Sequence, residues 1–281
     1  MNGIKPLEET LTAPDRTKIF LRRWPVADPK AVLVICHGLG EHGGRYGNLV
    51  NVLVPAGYAC FAHDHRGHGR TEGKRGHVDR FDQFLDDVHL VVTNARDAYP
   101  GKKVFLFGHS MGGLIALSYA LHRPHAVDGV IASGAALRLQ VEVPKVKATF
   151  GRLVASLAPT LALGNGLDPK WLSHDPAVVQ AYLEDPLVHD RVTAKFFVEF
   201  TAAMRRALFA AGALQMPALI YHGGDDPICA PQGSADFYER AASPDKTFRV
   251  FEGQFHETHN DTAKEQAVDM IREWLDKHAA V

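Results

Sequence analysis

Six short apolar runs constrain the fold of this chain most, because they alternate with longer segments of helical period. The runs are AVLVIC (31–36), YACFA (58–62), VFLFG (104–108), GVIAS (129–133), ALIYH (218–222) and FRVFE (248–252). Between the second and third runs, apolar residues from Phe81 to Tyr99 recur at steps of three and four, which predicts an amphipathic helix. Such alternation predicts an α/β fold: a mostly parallel sheet, right-handed crossovers and helices on both faces. Lys18–Trp24 predicts an earlier antiparallel strand.

One segment breaks this alternation. Residues 137–215 carry no comparable strand run, yet they separate the fourth run from the fifth. They predict an inserted, mainly helical lid (cap) over the carboxyl edge of the sheet, with residues 1–136 and 216–281 forming the core. The segment is rich in apolar residues, which fall almost all round a helical wheel: Val141, Val143, Val146, Phe150, Leu153, Val154, Leu157, Leu161 and Leu163. A plain helical subdomain packed on the body is the alternative that the pattern leaves open.

The composition is that of an ordinary globular protein. Of 281 residues, 46% are hydrophobic and 22% charged, and the net charge of −1 comes from interspersed acids and bases. We therefore expect no nucleic-acid partner. No apolar stretch approaches the ~20 residues of a membrane helix, and Met1–Leu11 lacks the apolar core of a signal peptide, so we expect an unexported, cytoplasmic protein. The three cysteines have no CxxC spacing and predict neither a disulfide framework nor a thiolate zinc site.

The pentapeptide Gly108–Gly112 has the form GxSxG and lies between the run VFLF and a helical segment. A serine on such a sharp strand-to-helix turn is exposed as a nucleophile, and the turn needs residues almost without side chains two before and two after it. Gly108 and Gly112 meet that need. The sequence therefore predicts Ser110 as a nucleophile; a glycine-rich turn without catalytic value is the alternative.

A serine hydroxyl needs a base within hydrogen-bond reach and an acid that orients the base. In a fold of this kind the order along the chain is serine, acid, histidine. Asp226 follows the run ALIYH and precedes a proline that restricts its backbone, so we prefer it as the acid to its neighbour Asp225. His256 follows the last run and is predicted as the base; His222 and His259 are the alternatives.

Two backbone N–H groups are expected to stabilise the oxyanion of the reaction. Met111 follows the nucleophile near a helix N-terminus, and Leu39 lies between two glycines in the loop after AVLVIC. We predict that these two amides form the oxyanion hole. No cofactor is needed for this chemistry. His63, His65 and His68 with Asp64 permit a metal interpretation, but their spacing is not that of a structural metal site, so we predict a polar loop and no metal.

Five ordered motifs together resemble the monoacylglycerol lipase family, which includes lysophospholipase-like bacterial hydrolases and has the α/β-hydrolase fold. They are HGLGEHGGRY (37–46), DHRGHGRTEG (64–73), GHSMGG (108–113), HGGDDPI (222–228) and FEGQFH (251–256). The resemblance implies a triad of Ser110, Asp226 and His256, an oxyanion hole at Leu39 and Met111, and a lid that admits one acyl chain. In the lid, only residues 185–188 match.

The resemblance also implies that Glu41, Arg45 and His259 hold the glycerol-like end of a substrate. A salt bridge between Glu41 and Arg45 that only fixes the loop is the alternative. Gly43 departs from the family, in which a serine is common at this position, and this departure is expected to loosen the loop. Cys229, close to Asp226 in sequence, is interpreted as an inert buried residue, with sensitivity to thiol reagents as the alternative.

The first functional hypothesis is hydrolysis of a glycerolipid ester with a single acyl chain, most readily a monoacylglycerol, through an acyl-enzyme. An apolar lid favours a fatty chain, because each buried CH₂ contributes about 0.8 kcal/mol. A lysophospholipase, a general carboxylesterase and an acyltransferase would use the same residues. A non-catalytic ligand-binding protein is the alternative of a different class. Peripheral membrane contact through the lid is a further expectation.

Overall fold

A computed structural model describes residues 3–140 and 154–280. Within these residues the central sheet has eight strands. They are β1 (Leu7–Thr12), β2 (Lys18–Trp24), β3 (Ala31–Cys36), β4 (Tyr58–His63), β5 (Val104–His109), β6 (Gly129–Ser133), β9 (Ala218–Gly223) and β10 (Lys246–Phe251). Their order across the sheet is β1-β2-β4-β3-β5-β6-β9-β10.

The sheet is mostly parallel, as the alternation predicts. From β4 to β10 every neighbouring pair is parallel, whereas β2 pairs antiparallel with both β1 and β4. The antiparallel strand predicted at Lys18–Trp24 is therefore confirmed. Strand β1 was not predicted, because it lies at the edge of the sheet with largely exposed side chains and carries no apolar run.

Helices cover both faces of the sheet, so the expected fold class is confirmed. The helices described are α1 (Gly47–Leu53), α2 (Asp82–Ala98), α3 (Met111–His122), α4 (Pro176–Glu184), α5 (Ala194–Ala210), α6 (Pro231–Arg240) and α7 (Lys264–Ala279). Successive strand residues point to opposite faces. Val32 and Val34 pack in one apolar layer with α2, α3, α5 and α6, whereas Leu33 and Ile35 pack in the other with α1 and α7.

The segment predicted as a lid contains α4, α5 and two short antiparallel strands, β7 (Ala162–Gly164) and β8 (Arg191–Thr193). These strands were missed because three residues are too few to give a pattern. Helix α5 buries Phe196, Phe200 and Met204 and packs on α3, so part of the segment lies directly on the body. Val141, Val143, Val146, Phe150 and Leu153 of the predicted lid lie outside the described residues.

A helix must be both long and apolar to span a bilayer, and this holds for the helices of residues 3–140 and 154–280 as for any other. None of them is both long enough and apolar enough to cross a membrane.

Candidate active site

Ser110 lies between β5 and α3, at the carboxyl edge of the sheet. Its backbone angles, φ 55° and ψ −118°, belong to a strained conformation for a residue with a side chain. The flanking glycines allow this turn: a Cβ at Gly108 would lie 2.1 Å from the carbonyl oxygen of Gly112, and one at Gly112 would lie 2.1 Å from that of Cys36. The sharp turn expected from the GxSxG motif is therefore present.

Asp226 and His256 come from the loops after β9 and β10, and the structure brings them together. The Asp226 Oδ2 atom lies 2.6 Å from Nδ1 of His256. The other oxygen of Asp226 accepts hydrogen bonds from the backbone N–H groups of Ile228 and Cys229, at 2.8 and 3.0 Å. Asp226 is buried, whereas its neighbour Asp225 is exposed. The carboxylate chosen from sequence is thus the one held against a histidine.

The electrostatics of this pair favour a charged acid and a basic histidine. Burial alone would raise the pKa of the Asp226 carboxyl, but His256 and the hydrogen bond from His222 hold that pKa below its usual value. Burial alone would lower the pKa of His256, and the adjacent Asp226 carboxylate raises it above the usual value instead. The imidazole is therefore poised to accept a proton through its second nitrogen.

The two alternative histidines have other positions. His222 Nε2 lies 3.0 Å from Asp226 Oδ2, on the same oxygen that His256 contacts, and its Nδ1 lies 2.8 Å from the Ser234 hydroxyl. His259 is buried behind the site, stacked on Tyr46 and against His109, and burial lowers its pKa to about 4. The contact between His222 and the acid was not predicted.

Leu39 and Met111, whose amides are the predicted oxyanion donors, both lie beside the serine. Met111 is the first residue of α3, where the N–H group has no partner within the helix. Leu39 lines the same cavities as Ser110. In the described parts of the chain, neither N–H group donates a hydrogen bond to a protein acceptor. Both amides are therefore available to a ligand oxygen.

Two cavities meet at Ser110. The larger is about 670 Å³, is overwhelmingly apolar and is lined by the cap. Its wall includes Leu139, Leu161, Leu163, Leu167, Val192, Phe196, Phe197 and Phe200. The smaller cavity is about 30 Å³ and is called the polar pocket here after the charged and polar side chains in its wall: Glu41, Arg45, Asp168, His256 and Glu257 share that wall with apolar residues such as Leu39, Leu172 and Ile228. The serine therefore lies between an apolar space and a small polar one.

Glu41 and Arg45 form the predicted ion pair, but Arg45 has a second partner. Its guanidinium donates to Glu41 and, in a two-point contact of 2.6 and 3.0 Å, to both carboxylate oxygens of Glu257. The ion pair of the alternative interpretation is therefore present, and both residues also line the small pocket, so their contact with a substrate stays a prediction. Sequence reasoning missed Glu257, although its position next to His256 was a usable signal. His259 does not line this pocket as the structure describes it.

The histidine-rich loop after β4 packs beneath the loop that carries Leu39. Asp64 accepts from Arg22 at 2.5 Å and from the N–H groups of Gly43 and Arg70, and His63 Nε2 lies 3.1 Å from His65 Nδ1. Ligand atoms of Cys36, His63 and His65 lie within 4.8 Å of one another. Asp64, one of the ligands considered in the metal interpretation, is not in this cluster and instead fixes the neighbouring loop.

Gly43 and Cys229 are both closely surrounded by protein atoms, and the burial of Cys229 agrees with its interpretation from sequence. A Cβ at Gly43 would lie 3.0 Å from that of Ala62, and the Gly43 N–H donates to Asp64, so close packing and a hydrogen bond hold the loop where the loosening was expected. Cys229 is buried and lines the large cavity together with Ser110. Burial raises the pKa of its thiol well above the usual value, which disfavours the reactive thiolate.

Comparison with known proteins gives consistent matches. The family model described as serine aminopeptidase S33 matches residues 27–263. The chain is 34% identical to a monoacylglycerol lipase of Mycolicibacterium smegmatis, over 90% of this chain and 91% of the relative. It is 36% identical to the human monoglyceride lipase, over 88% and 82%.

Solved structures agree with the sequence matches. The crystal structure of Paleococcus ferrophilus monoacylglycerol lipase superposes with a TM-score of 0.84 at 38% identity, covering 92% of this chain and 99% of that one. The chain also matches an abhydrolase domain-containing protein of Dictyostelium discoideum at 35% identity, but spans only 28% of its length.

Proposed function

The chain belongs to the monoacylglycerol lipase group within the serine aminopeptidase S33 family, and from this membership we propose that it hydrolyses monoacylglycerols to a fatty acid and glycerol. The single observation that carries the proposal is that Ser110 lies where an apolar cavity of about 670 Å³ meets a small polar pocket. A monoacylglycerol has one long apolar chain and one small polar head on either side of its ester. The two cavities match those two parts.

The proposed reaction uses Ser110 as the nucleophile. Its Oγ attacks the ester carbonyl carbon and its proton passes to Nε2 of His256, while Asp226 holds Nδ1–H and stabilises the imidazolium. The N–H groups of Leu39 and Met111 bind the oxyanion of the tetrahedral intermediate. Collapse returns the proton from His256 to the glycerol oxygen, and water then hydrolyses the acyl-enzyme by the same steps.

The apolar cavity is proposed to bind the acyl chain. Its volume falls within the range of about 300 to 1,000 Å³ that small-molecule sites usually have. Its wall is dominated by leucine and phenylalanine side chains of the cap, so each methylene of a bound chain would leave water and contribute about 0.8 kcal/mol. The predicted division into a core and a cap at residues 137–215 therefore has a functional meaning in this proposal.

The polar pocket is proposed to bind the glycerol head. Glu41, Arg45 and Glu257 supply charged acceptors and donors at its wall, and all three are largely buried. His259 supports this wall indirectly through Tyr46, whose hydroxyl donates to Glu41 at 2.7 Å. A short polar head with hydroxyl groups can donate to the carboxylates and accept from the guanidinium.

The test combines covalent labelling with turnover. A fluorophosphonate should label the wild-type chain at one residue, and Ser110→Ala should lose both labelling and hydrolysis of a long-chain monoacylglycerol. Ser118→Ala is a matched control, because this serine on α3 lines neither of the two cavities at Ser110. A folded, unlabelled wild-type protein would indicate a ligand-binding protein. Equal or faster turnover of acetate esters would contradict the lipase proposal and leave a carboxylesterase.

We also propose that the cap contacts membrane lipid when it takes up substrate. Leu161 and Leu163 line the apolar cavity and yet are 50% and 66% exposed, and Leu157 and Leu183 of the same segment are exposed as well. Leucines at the rim of a lipid-sized cavity can enter the interface between headgroups and acyl chains. Leu161→Asn with Leu163→Asn should weaken binding to phosphatidylcholine vesicles, and unchanged binding would contradict this proposal.

A further inference from the structure

The loop of residues 37–46, here called the oxyanion loop, is contacted by a cap segment of residues 182–189. His42 Nε2 lies 2.9 Å from Asp185 Oδ2, and the His189 N–H donates to the carbonyl oxygen of Gly40 at 2.8 Å. The cap segment therefore contacts the oxyanion loop at two points. The loop residues that make these two contacts, Gly40 and His42, lie within three positions of Leu39 in the sequence.

The hydrogen bonds fix the tautomer of His42. Its Nδ1 accepts from the N–H of Gly44 at 3.1 Å, so Nε2 carries the proton and donates it to Asp185. The second oxygen of Asp185 accepts from the N–H of Leu187 at 2.9 Å, which holds the turn that follows α4. One carboxylate thus joins the cap's own turn to the oxyanion loop.

Gly40 is fitted to this contact. Its φ is +78°, and a side chain there would meet the backbone oxygen of His189, only 2.4 Å from the ideal Cβ position. On the other side of Leu39, the N–H of Gly38 donates to Glu41 at 2.5 Å. The peptide that carries the Leu39 amide therefore lies between Gly38, which is hydrogen-bonded within the loop, and Gly40, which is hydrogen-bonded to the cap.

We propose that Asp185 is a positioning residue for the oxyanion hole, acting through His42 on the loop that carries Leu39. This inference rests on the proposed function, because it presumes that the Leu39 amide stabilises the oxyanion. It assigns a role to the 185–188 motif, which the substrate cavities do not explain. The cap then contributes to the chemical step as well as to substrate binding.

A positioning role and a purely structural one give different kinetics. Loss of one oxyanion donor costs ~10²- to 10³-fold in rate, so partial misplacement of Leu39 should cost roughly tenfold to a hundredfold. The loss should fall on kcat and leave KM within about twofold, because the oxyanion forms only after substrate binds. If Asp185 only stabilised the fold, its replacement would change the melting temperature or KM without a matching change in kcat.

Asp185→Asn is the first variant, because it keeps the size of the side chain and an acceptor for Leu187 while presenting an amino group to the His42 proton. We expect kcat to fall as above, together with the rate of fluorophosphonate labelling and the affinity for a trifluoromethyl ketone. Asp190→Asn is the matched control: this aspartate is 69% exposed, and its side chain pairs with Arg191 at the surface. It should behave as wild type.

A double-mutant cycle supplies the second measurement. His42→Ala, Asp185→Ala and the double variant should lose kcat to the same extent, because residues that act through each other are not additive. Additive losses, a change confined to KM, or an unchanged kcat in a folded Asp185→Asn would each overturn the inference. Turnover by Ser110→Ala would overturn the proposed function instead, so the two failures are distinguishable.

Discussion

Replacing Asp226 with asparagine is expected to abolish nearly all turnover. The carboxylate accepts four hydrogen bonds: two at Oδ2, from His256 and His222, and two at Oδ1, from the N–H groups of Ile228 and Cys229. Because the His222 Nε2 atom also lies 3.0 Å from a carbonyl oxygen, it carries a proton. Every partner of this carboxylate is thus a donor.

An asparagine offers one oxygen and one amino group where the carboxylate offers two acceptors. With its oxygen toward the histidines, its amino group meets two backbone N–H groups; turned round, it meets the two imidazoles. The first orientation leaves two buried backbone donors without an acceptor, at about 1–3 kcal/mol each, or roughly 2–6 kcal/mol of the free energy of unfolding. The second costs less and is the expected one, because His222 keeps the Cys229 carbonyl and the His256 Nδ1 can accept from the amino group. The stability of the variant must therefore be measured together with its activity.

The catalytic loss follows from the tautomer of His256. Facing an amino group, its Nδ1 must accept, which moves the proton to Nε2 and removes the acceptor for Ser110. A wrong tautomer of this kind costs ~10⁴-fold in kcat. That factor is about 5 kcal/mol of activation free energy.

The assay is kcat for a long-chain monoacylglycerol, with urea unfolding and circular dichroism to establish that the variant is folded. Asp225→Asn is the matched control, since that neighbouring side chain is exposed, and it should keep wild-type kcat. A folded Asp226→Asn that retains a tenth of wild-type kcat would refute the reasoning. Loss of activity in Asp225→Asn, with activity retained in Asp226→Asn, would indicate that Asp225 is the acid of the triad.

Three further predictions concern pH, the polar pocket and the turn at the serine. Because Asp226 raises the pKa of His256 and only the neutral imidazole accepts a proton, kcat/KM should fall with decreasing pH through a midpoint above 6.5, and a midpoint below 6 would contradict this. Glu257→Gln removes one of two carboxylates paired with Arg45, so lysophosphatidic acid should gain roughly tenfold relative to monoacylglycerol in competition assays; unchanged selectivity would show that Glu257 does not repel phosphate. Gly112→Ala places a methyl group 2.1 Å from the Cys36 oxygen and should lower the free energy of unfolding by roughly 3 kcal/mol or more, with urea midpoints near wild type as the contrary result.

The sequence by itself determined the fold class and the candidate triad. Parallel strands were visible as apolar runs because strands buried on both faces need apolar residues at almost every position, as in β3 and β5. Ser110 follows a strand directly, and Asp226 and His256 lie in the loops after two others; the carboxyl ends of these parallel strands meet at one edge of the sheet. Local order along the chain was therefore enough to propose these residues as one site.

Only the tertiary structure decided which side chains from distant loops meet. Glu257 reaches Arg45 across 212 residues, and Asp185 of the cap reaches His42 across 143. Neither pair has a local pattern, because each depends on how one loop folds over another and not on a periodicity. The edge strand β1 and the pair β7–β8 were missed for a related reason: exposed or very short strands need no apolar run. Contacts made by loops depend on the relative placement of elements, which the spacing of residues does not encode.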